Sequence, residues 1–261
     1  MTSFLCRTCG TQFADSAEPP TECAICCDGR QYVPVEGQEW ITYEAFCDTH
    51  HADIRNEAGA MGIGVKPEFG IGQRALLVES PGGNVLWDCV PLLDEMSAFV
   101  ESRGGLRAVA ISHPHYYTTM VEWAHRFECR IVIHELDREW VQRPDAAIEL
   151  WSGETRELWD DLTLLRLGGH FPGGQVLHWA SRDALLSGDI VQVLPGCRWV
   201  GFMYSYPMLI PLPSGEVERI AAALEPWQFD KIYGAWWDRV VREDGKRVVE
   251  RSAERYVRAL R

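Results

Sequence analysis

Residues 106–118, LRAVAISHPHYYT, decide the fold class of this chain. The first six residues form a short apolar run, which is typical of a buried β-strand. The run leads directly into Ser112, His113, Pro114 and His115, so that two histidines at positions i and i+2 follow the end of a strand. Imidazoles with this spacing point the same way and can chelate one ion. The stretch therefore predicts a metal-binding loop at the edge of a sheet.

Two later motifs carry the same kind of chemistry. His170 lies in a glycine-rich turn, residues 168–174 (GGHFPGG), and Asp189 follows the apolar run 184–187 through Gly188. Both motifs stand at the ends of predicted strands, where loops converge. Three imidazoles and one carboxylate suit Zn²⁺ or another borderline ion. The sequence predicts a central metal site made of His113, His115, His170 and Asp189.

Strand and helix patterns alternate around these motifs. A hairpin is predicted over 74–79 and 85–88, and further strands at 130–134, 162–167, 175–179 and 229–233. Helical spacing predicts helices over residues 92–103, 118–127, 135–142 and 215–224, a final amphipathic helix, and a short helix near 40–46 capped by Thr42. The stretch from about residue 35 to Gly72, which contains that short helix, is typical of a linker. This alternation indicates an α/β domain.

The N-terminal segment has a different character. Cys6 and Cys9 form one Cys-x-x-Cys pair, and Cys23 and Cys26 form a second after 13 intervening residues. The segment has too few large apolar residues to fold unaided, but four thiolates around one tetrahedral ion would replace the missing core. We predict a zinc-ribbon-like module over residues 1–35 and a second domain over 36–261. A rubredoxin-type iron site, a redox pair and an unliganded loop are the alternatives, with Cys27 as a spare ligand.

Composition restricts the partners. The chain has 25 basic and 38 acidic residues, a formal charge of −13 that repels phosphate backbones, so we expect no nucleic-acid partner. No run approaches the roughly 20 apolar residues of a membrane helix, so we also expect no membrane partner. The N-terminus shows no secretory pattern, and five of the nine cysteines fall within the first 27 residues in metal-like spacing. These features favour a reducing, cytoplasmic location.

The order of the motifs resembles the metallo-β-lactamase superfamily. An early strand pair ends in Asp88, and the His-x-His loop, the Gly-His turn and Ser-Gly-Asp follow in the family's order over roughly residues 70–240. The resemblance implies a four-layer αββα sandwich with the metal site at one edge of its two sheets. It also implies the ligands, which are His113, His115, His170 and Asp189.

The chain departs from the family pattern His-x-His-x-Asp-His. Tyr117 and Thr118 occupy the last two positions, and Trp236 or Trp237 stands where the family has a further histidine. In the family these residues build a second metal position. We therefore expect a mononuclear central site or, as the alternative, an unmetallated relic. Zinc is the expected metal at both sites, and iron is the alternative at either.

The resemblance implies a hydrolase acting on a small-molecule ester, thioester or lactone through a single zinc-bound hydroxide. Asp189 would act as fourth ligand or as general base. Tyr116 and Tyr117 would donate hydrogen bonds to an oxyanion, or would only pack at the sheet edge. The alternative is a catalytically silent protein that binds a ligand or protein partner through the aromatic loop 195–213. That loop is typical of a lid over the metal or of a homodimer interface.

Overall fold

A computed structural model describes all residues, 1–261. The chain up to residue 151 forms nine strands and three helices: β1 (Phe4–Cys6), β2 (Trp40–Thr42), α1 (Tyr43–Thr49), β3 (His51–Glu57), β4 (Ala60–Lys66), β5 (Ala75–Val78), β6 (Val85–Trp87), α2 (Asp94–Ser102), β7 (Ala108–Ala110), α3 (Met120–Phe127), β8 (Arg130–His134) and β9 (Ile148–Trp151). The rest forms ten strands and two helices: β10 (Thr155–Trp159), β11 (Leu162–Arg166), β12 (Gln175–Trp179), β13 (Ala184–Gly188), β14 (Gln192–Val193), β15 (Val200–Gly201), β16 (Met203–Ser205), β17 (Ile210–Pro211), α4 (Ser214–Leu224), β18 (Lys231–Gly234), β19 (Val240–Val241) and α5 (Gly245–Ala259). No helix combines the length and apolar character needed to cross a bilayer.

Two large sheets organise these elements. The first has seven strands in the order β3-β4-β5-β6-β7-β8-β9, and the second has six in the order β10-β11-β12-β13-β18-β19. In the first sheet the strands from β3 to β6 pair antiparallel and those from β6 to β9 pair parallel. The second sheet has a single parallel pair, β13 with β18.

The layers follow from the alternation of side chains along each strand. Leu76 and Trp87 of the first sheet share a buried cluster with Leu164 and Leu177 of the second, which places the two sheets face to face. The opposite faces carry apolar residues that pack on helices. Residues of α2 and α3 cover the first sheet, and residues of α4 and α5 cover the second. The predicted αββα sandwich is confirmed.

The prediction of a linker is wrong in part, because residues 51–66 form β3 and β4. β4 contains Gly62 and Gly64, which weaken the strand pattern in the sequence. A tertiary contact explains why glycine stands here, because a Cβ on Gly62 would lie 2.5 Å from the Trp237 ring. The predicted helix over 135–142 is a 3₁₀ helix, Glu135–Trp140. The cap of α1 is as expected, since Thr42 Oγ1 accepts a hydrogen bond from Ala45 N at 3.1 Å.

The N-terminal module packs tightly on the rest of the chain. β1 pairs antiparallel with β2, so that backbone pairing crosses the predicted boundary at residue 35. Gln12 N donates to the carbonyl oxygen of Thr118 at 3.1 Å, and Arg143 Nη1 donates to Gln12 Oε1 at 2.6 Å. The module therefore lies directly beside the loop that begins at His113. The division into two domains stays a prediction.

Candidate metal centre

Three loops at one edge of the sandwich bring the predicted ligands together. The His113–His115 loop follows β7, His170 lies in the turn between β11 and β12, and Asp189 follows β13. One ligand atom from each of these four residues lies within 4.8 Å of the others. The residues are 1%, 3%, 1% and 3% exposed in chain order, so all four donors are buried.

The donor atoms fit an ion better than they fit one another. His113 Nε2 lies 3.1 Å from Asp189 Oδ1, yet neither atom is aligned for a hydrogen bond, and His115 Nε2 is also buried without a partner. Leaving a buried polar group unpaired costs about 1–3 kcal/mol. His170 Nε2 lies 3.2 Å from His115 Nδ1. In a tetrahedral zinc site with bonds of about 2.0–2.1 Å, donor atoms are about 3.3 Å apart. The residues therefore fit a zinc-type ion.

Hydrogen bonds and burial keep the three imidazoles in the neutral form that binds a metal. His170 Nδ1 lies 2.8 Å from the carbonyl oxygen of Tyr204 and 3.2 Å from that of Met203, so Nδ1 carries the proton and Nε2 presents its lone pair. Burial lowers the pKa of His113 and His115 well below the usual range and lowers that of His170 to about 4. All three rings are neutral at neutral pH, as metal binding requires.

Ser112 links the candidate ligand His113 to Asp88, a role that the sequence motifs did not predict. Its Oγ lies 2.9 Å from His113 Nδ1, and its backbone N–H donates to Asp88 Oδ1 at 2.7 Å. Burial raises the pKa of Asp88 to about 7. Gly188 approaches Ser112 so closely that a Cβ at Gly188 would lie 2.5 Å from Ser112 Oγ. The serine directly before His-x-His was the signal available in the sequence.

The two tyrosines proposed for catalysis occupy different environments. The Tyr116 ring lies 4.5 Å from the His113 ring, and its buried hydroxyl has no hydrogen-bond partner. Burial and then the carboxylate of Asp189 raise the pKa of Tyr116 well above its usual range. The Tyr117 hydroxyl instead donates to the carbonyl oxygen of Asp137 at 3.2 Å. Only Tyr116 has a hydroxyl that is both free and near the cluster.

The other positions that depart from the family pattern contribute to packing. Thr118 is buried, and its methyl group would lie 3.4 Å from a Cβ placed on Gly10 of the N-terminal module. Trp236 Nε1 donates to the carbonyl oxygen of Ile71 at 2.8 Å, and Trp237 packs over β4. Thr118, Trp236 and Trp237 thus pack against other parts of the chain, and the loss of a second metal position stays a prediction.

The four cysteines of the module also fit a metal. Cys6 Sγ lies 3.6 Å from Cys26 Sγ, and Cys9 Sγ lies 3.6 Å from Cys23 Sγ. Four sulfur atoms at about 2.3 Å from one ion would be about 3.8 Å apart. All four cysteines are buried, whereas the spare candidate Cys27 is exposed and lies outside the cluster. Gln38 Nε2 donates to Cys6 Sγ at 3.1 Å, an interaction that orients a thiolate ligand.

The module also covers the central site. The guanidinium carbon of Arg30 lies 4.3 Å from the centre of the Phe171 ring and 4.9 Å from that of Tyr204. The backbone carbonyl of Arg30 accepts a hydrogen bond from Ser205 Oγ at 2.9 Å. Arg30 was missed in the sequence analysis, because no local pattern distinguishes it from other surface arginines.

The aromatic loop 195–213 lies against the centre from the other side. The Tyr206 hydroxyl donates to the carbonyl oxygen of Asp189 at 2.8 Å, and its ring lies 5.7 Å from that of His170. Phe202 is fully buried in the core of the second sheet, whereas Met208 and Leu209 are exposed. The loop thus has an inner part that supports the centre and an exposed apolar tip.

One known protein is similar to this chain over its whole length. No protein-family model matches the sequence. The uncharacterized protein YmaE of Bacillus subtilis (strain 168) is 47% identical over 268 residues, covering 100% of this chain and 97% of YmaE. The chain belongs to the YmaE family. The similarity spans the whole of this chain, including the cysteine module and the sandwich.

Solved structures support the fold of this YmaE-family protein. DIM-1 metallo-β-lactamase superposes with a TM-score of 0.62 at 12% identity, covering 81% of this chain and 99% of that one. FIM-1 from Pseudomonas aeruginosa, in a mono-zinc form, gives 0.60 at 12% identity, with 80% and 96% covered. The metallo-β-lactamase of Hirschia baltica gives 0.55 at 18% identity, with 78% and 96% covered. The chain has the metallo-β-lactamase fold.

Proposed function

We propose that this protein is a metal-dependent hydrolase whose central site binds one zinc ion through His113, His115, His170 and Asp189. One observation carries the proposal: four buried donor atoms lie within 4.8 Å of one another, and His113 Nε2 and Asp189 Oδ1 among them have no hydrogen-bond partner. The metallo-β-lactamase fold places these donors at the edge where its loops converge. Because Tyr117, Thr118 and the Trp236 region offer no second set of ligands, we propose a mononuclear centre.

The residues of the chain divide the chemistry among them. A zinc ion held by these residues would supply Lewis-acid chemistry and would lower the pKa of a water molecule so that it becomes a nucleophile near neutral pH. Asp189 either completes the ligand set or accepts a proton from the attacking water. The free hydroxyl of Tyr116 donates to the oxyanion that develops on the substrate carbonyl. Tyr117 has no role in this mechanism because its hydroxyl donates a hydrogen bond to the carbonyl oxygen of Asp137.

We propose a small-molecule ester, thioester or lactone as the substrate class. These acyl compounds react with a hydroxide nucleophile and need a donor for one oxyanion. The ligands are at most 3% exposed beneath the cysteine module, which favours small substrates over polymers. The formal charge of −13 disfavours nucleic acids. A cluster of four free cysteines also suits a reducing compartment, and we propose the cytoplasm.

Metal analysis tests the proposal directly. We expect about two zinc ions per chain in protein purified without added metal, one at each site. His170→Ala should remove about one of them, because only two imidazoles and the Asp189 carboxylate would remain and the loss of one imidazole weakens zinc binding. His178→Ala is the matched control, since His178 is a buried histidine outside the cluster whose Nε2 contacts the carbonyl oxygen of Gln228 at 2.7 Å.

Two outcomes would contradict the metal assignment. One is equal zinc content in His170→Ala and the parent. The other is a single zinc per parent chain that disappears when Cys6 and Cys9 are replaced.

Metal-loaded protein should then be assayed on a panel of esters, thioesters and lactones. Hydrolysis of none of them by a two-zinc protein would favour the catalytically silent alternative.

A further inference from the structure

We propose that Arg30, presented by the cysteine module, binds a carboxylate group of the substrate. The substrate would then be an acyl compound that carries a free carboxylate beside the bond that is cleaved. This inference rests on the proposed function and names the substrate class of that same site. It also gives the cysteine module a purpose, which is to supply a cationic group beside the buried centre.

The guanidinium of Arg30 is held in place but incompletely paired. Its Nη1 donates to Asp28 Oδ1 at 2.7 Å, and its face stacks on Phe171 and Tyr204. Nε is buried without any hydrogen-bond partner. The edge formed by Nε and Nη2 is the edge that binds a carboxylate through two parallel hydrogen bonds. A fixed guanidinium with this edge unused is suited to an anion from outside the chain.

Arg30 is also close to the metal ligands. The Phe171 ring beneath it lies 4.9 Å from the His115 ring and 5.2 Å from the His170 ring. The carbonyl oxygen of Tyr204, whose ring Arg30 contacts, faces His170 Nδ1 at 2.8 Å. The rings and the carbonyl group that contact Arg30 therefore also contact the candidate ligands, which places Arg30 one side chain away from the centre.

Exposure and charge narrow the choice of ligand. The Arg30 side chain is 13% exposed, whereas those of His113 and Asp189 are 0% and 4% exposed. The Arg30 side chain is thus more exposed to solvent than those of His113 and Asp189. Asp28 already offsets part of its charge, and a single, partly offset cation matches a monoanionic carboxylate better than a dianionic phosphate.

The cysteine cluster determines where Arg30 lies. Arg30 follows Cys26 by four residues, and the intervening turn is closed by a hydrogen bond from Gln31 N to the carbonyl oxygen of Asp28 at 3.0 Å. Ser205 Oγ then donates to the backbone carbonyl of Arg30, which ties this turn to the sandwich. A metal bound by the four thiolates would therefore hold Arg30 at its position over Phe171.

Two small thiols that differ only in charge test the inference by binding, without the need for turnover. 3-Mercaptopropionate and 3-mercaptopropionamide both present a thiolate for zinc, but only the first has a carboxylate for Arg30. With zinc-loaded parent protein, we expect isothermal titration to give at least about tenfold tighter binding of the carboxylate, as a charge-assisted pair provides. Zinc content measured after each titration shows whether both metals are retained.

Arg30→Gln should bind the two thiols about equally, and Arg30→Lys should keep part of the preference because charge remains but the fork is lost. Arg7→Gln is the matched control, since Arg7 is a cation of the same module that pairs with the exposed Glu39. Its preference should equal that of the parent. Unfolding curves and zinc content identify any variant that fails to fold, and Arg30→Lys then provides the test.

The outcomes separate the two proposals. Equal binding of both thiols to the parent, or an unchanged preference in Arg30→Gln, would overturn the role of Arg30 and leave the metal centre standing. Binding of neither thiol to a parent that retains two zinc ions would overturn the inference and leave the metal centre standing, whereas a parent that holds only the cysteine-bound zinc would refute the proposed metal centre. Preference in the parent and in Arg7→Gln, lost in Arg30→Gln, is the result that the structure leads us to expect.

Discussion

The backbone between β13 and Asp189 has no room for a side chain at Gly188. Gly188 has a φ of +53°, and a Cβ there would lie 2.5 Å from Ser112 Oγ and 2.9 Å from Ser112 Cβ. Ser112 cannot shift freely, because its N–H donates to Asp88 and its Oγ contacts His113 Nδ1. We therefore expect Gly188→Ala to destabilise the fold.

Two contributions make up the expected loss. A left-handed backbone costs a residue with a Cβ about 1–2 kcal/mol, and forcing extra volume into a packed site costs about 1–3 kcal/mol. The total is about 2–5 kcal/mol. Gly196→Ala is the matched control, because Gly196 has a φ of +83° with nothing within 4 Å of the added Cβ. That variant should show the backbone contribution alone, about 1–2 kcal/mol.

Urea unfolding with zinc in excess measures both losses as changes in the free energy of unfolding. Repeating Gly188→Ala in a Ser112→Gly background separates the steric contribution, since the atoms that the new Cβ meets are then absent. We expect a coupling energy of about 1–3 kcal/mol between the two sites. Equal losses in Gly188→Ala and Gly196→Ala, or no coupling with Ser112→Gly, would refute the reasoning.

Two further predictions concern buried hydroxyl and carboxyl groups. Asp137 Oδ1 accepts from Gly173 N at 2.7 Å, and burial raises the pKa of Asp137 to about 7. Because this lies above the unfolded value of about 3.9, ionisation costs stability fully above pH 7 and not at all below pH 4. Asp137→Asn should thus gain on the order of 2–4 kcal/mol over the parent in urea unfolding at pH 8 and lose that gain as the pH falls to 4, whereas a gain independent of pH would contradict the assignment. Tyr116→Phe should lower kcat by about 10²–10³ on any substrate found, with zinc content unchanged, while Tyr117→Phe should lower it little; similar losses in both variants would exclude Tyr116 as the oxyanion donor.

Local spacing in the sequence was sufficient to predict candidate ligands that the structure brings together. Cys6 with Cys9, Cys23 with Cys26, and His113 with His115 are pairs joined by only two or three peptide bonds, so the spacing itself favours chelation. His170 and Asp189 were recognisable because each follows a strand pattern, and strand ends converge at one edge of a sandwich.

Only the tertiary structure decided the rest. Gly62 and Gly64 weaken the β4 pattern, and their purpose appears only when Trp237 packs over them. Ser112 and Gly188 constrain each other across two sheets, and Arg30 reaches the metal centre from a separate module. Contacts of this kind join residues that are far apart in the chain. Their formation depends on the packing of the whole sandwich, which local propensity and spacing do not contain.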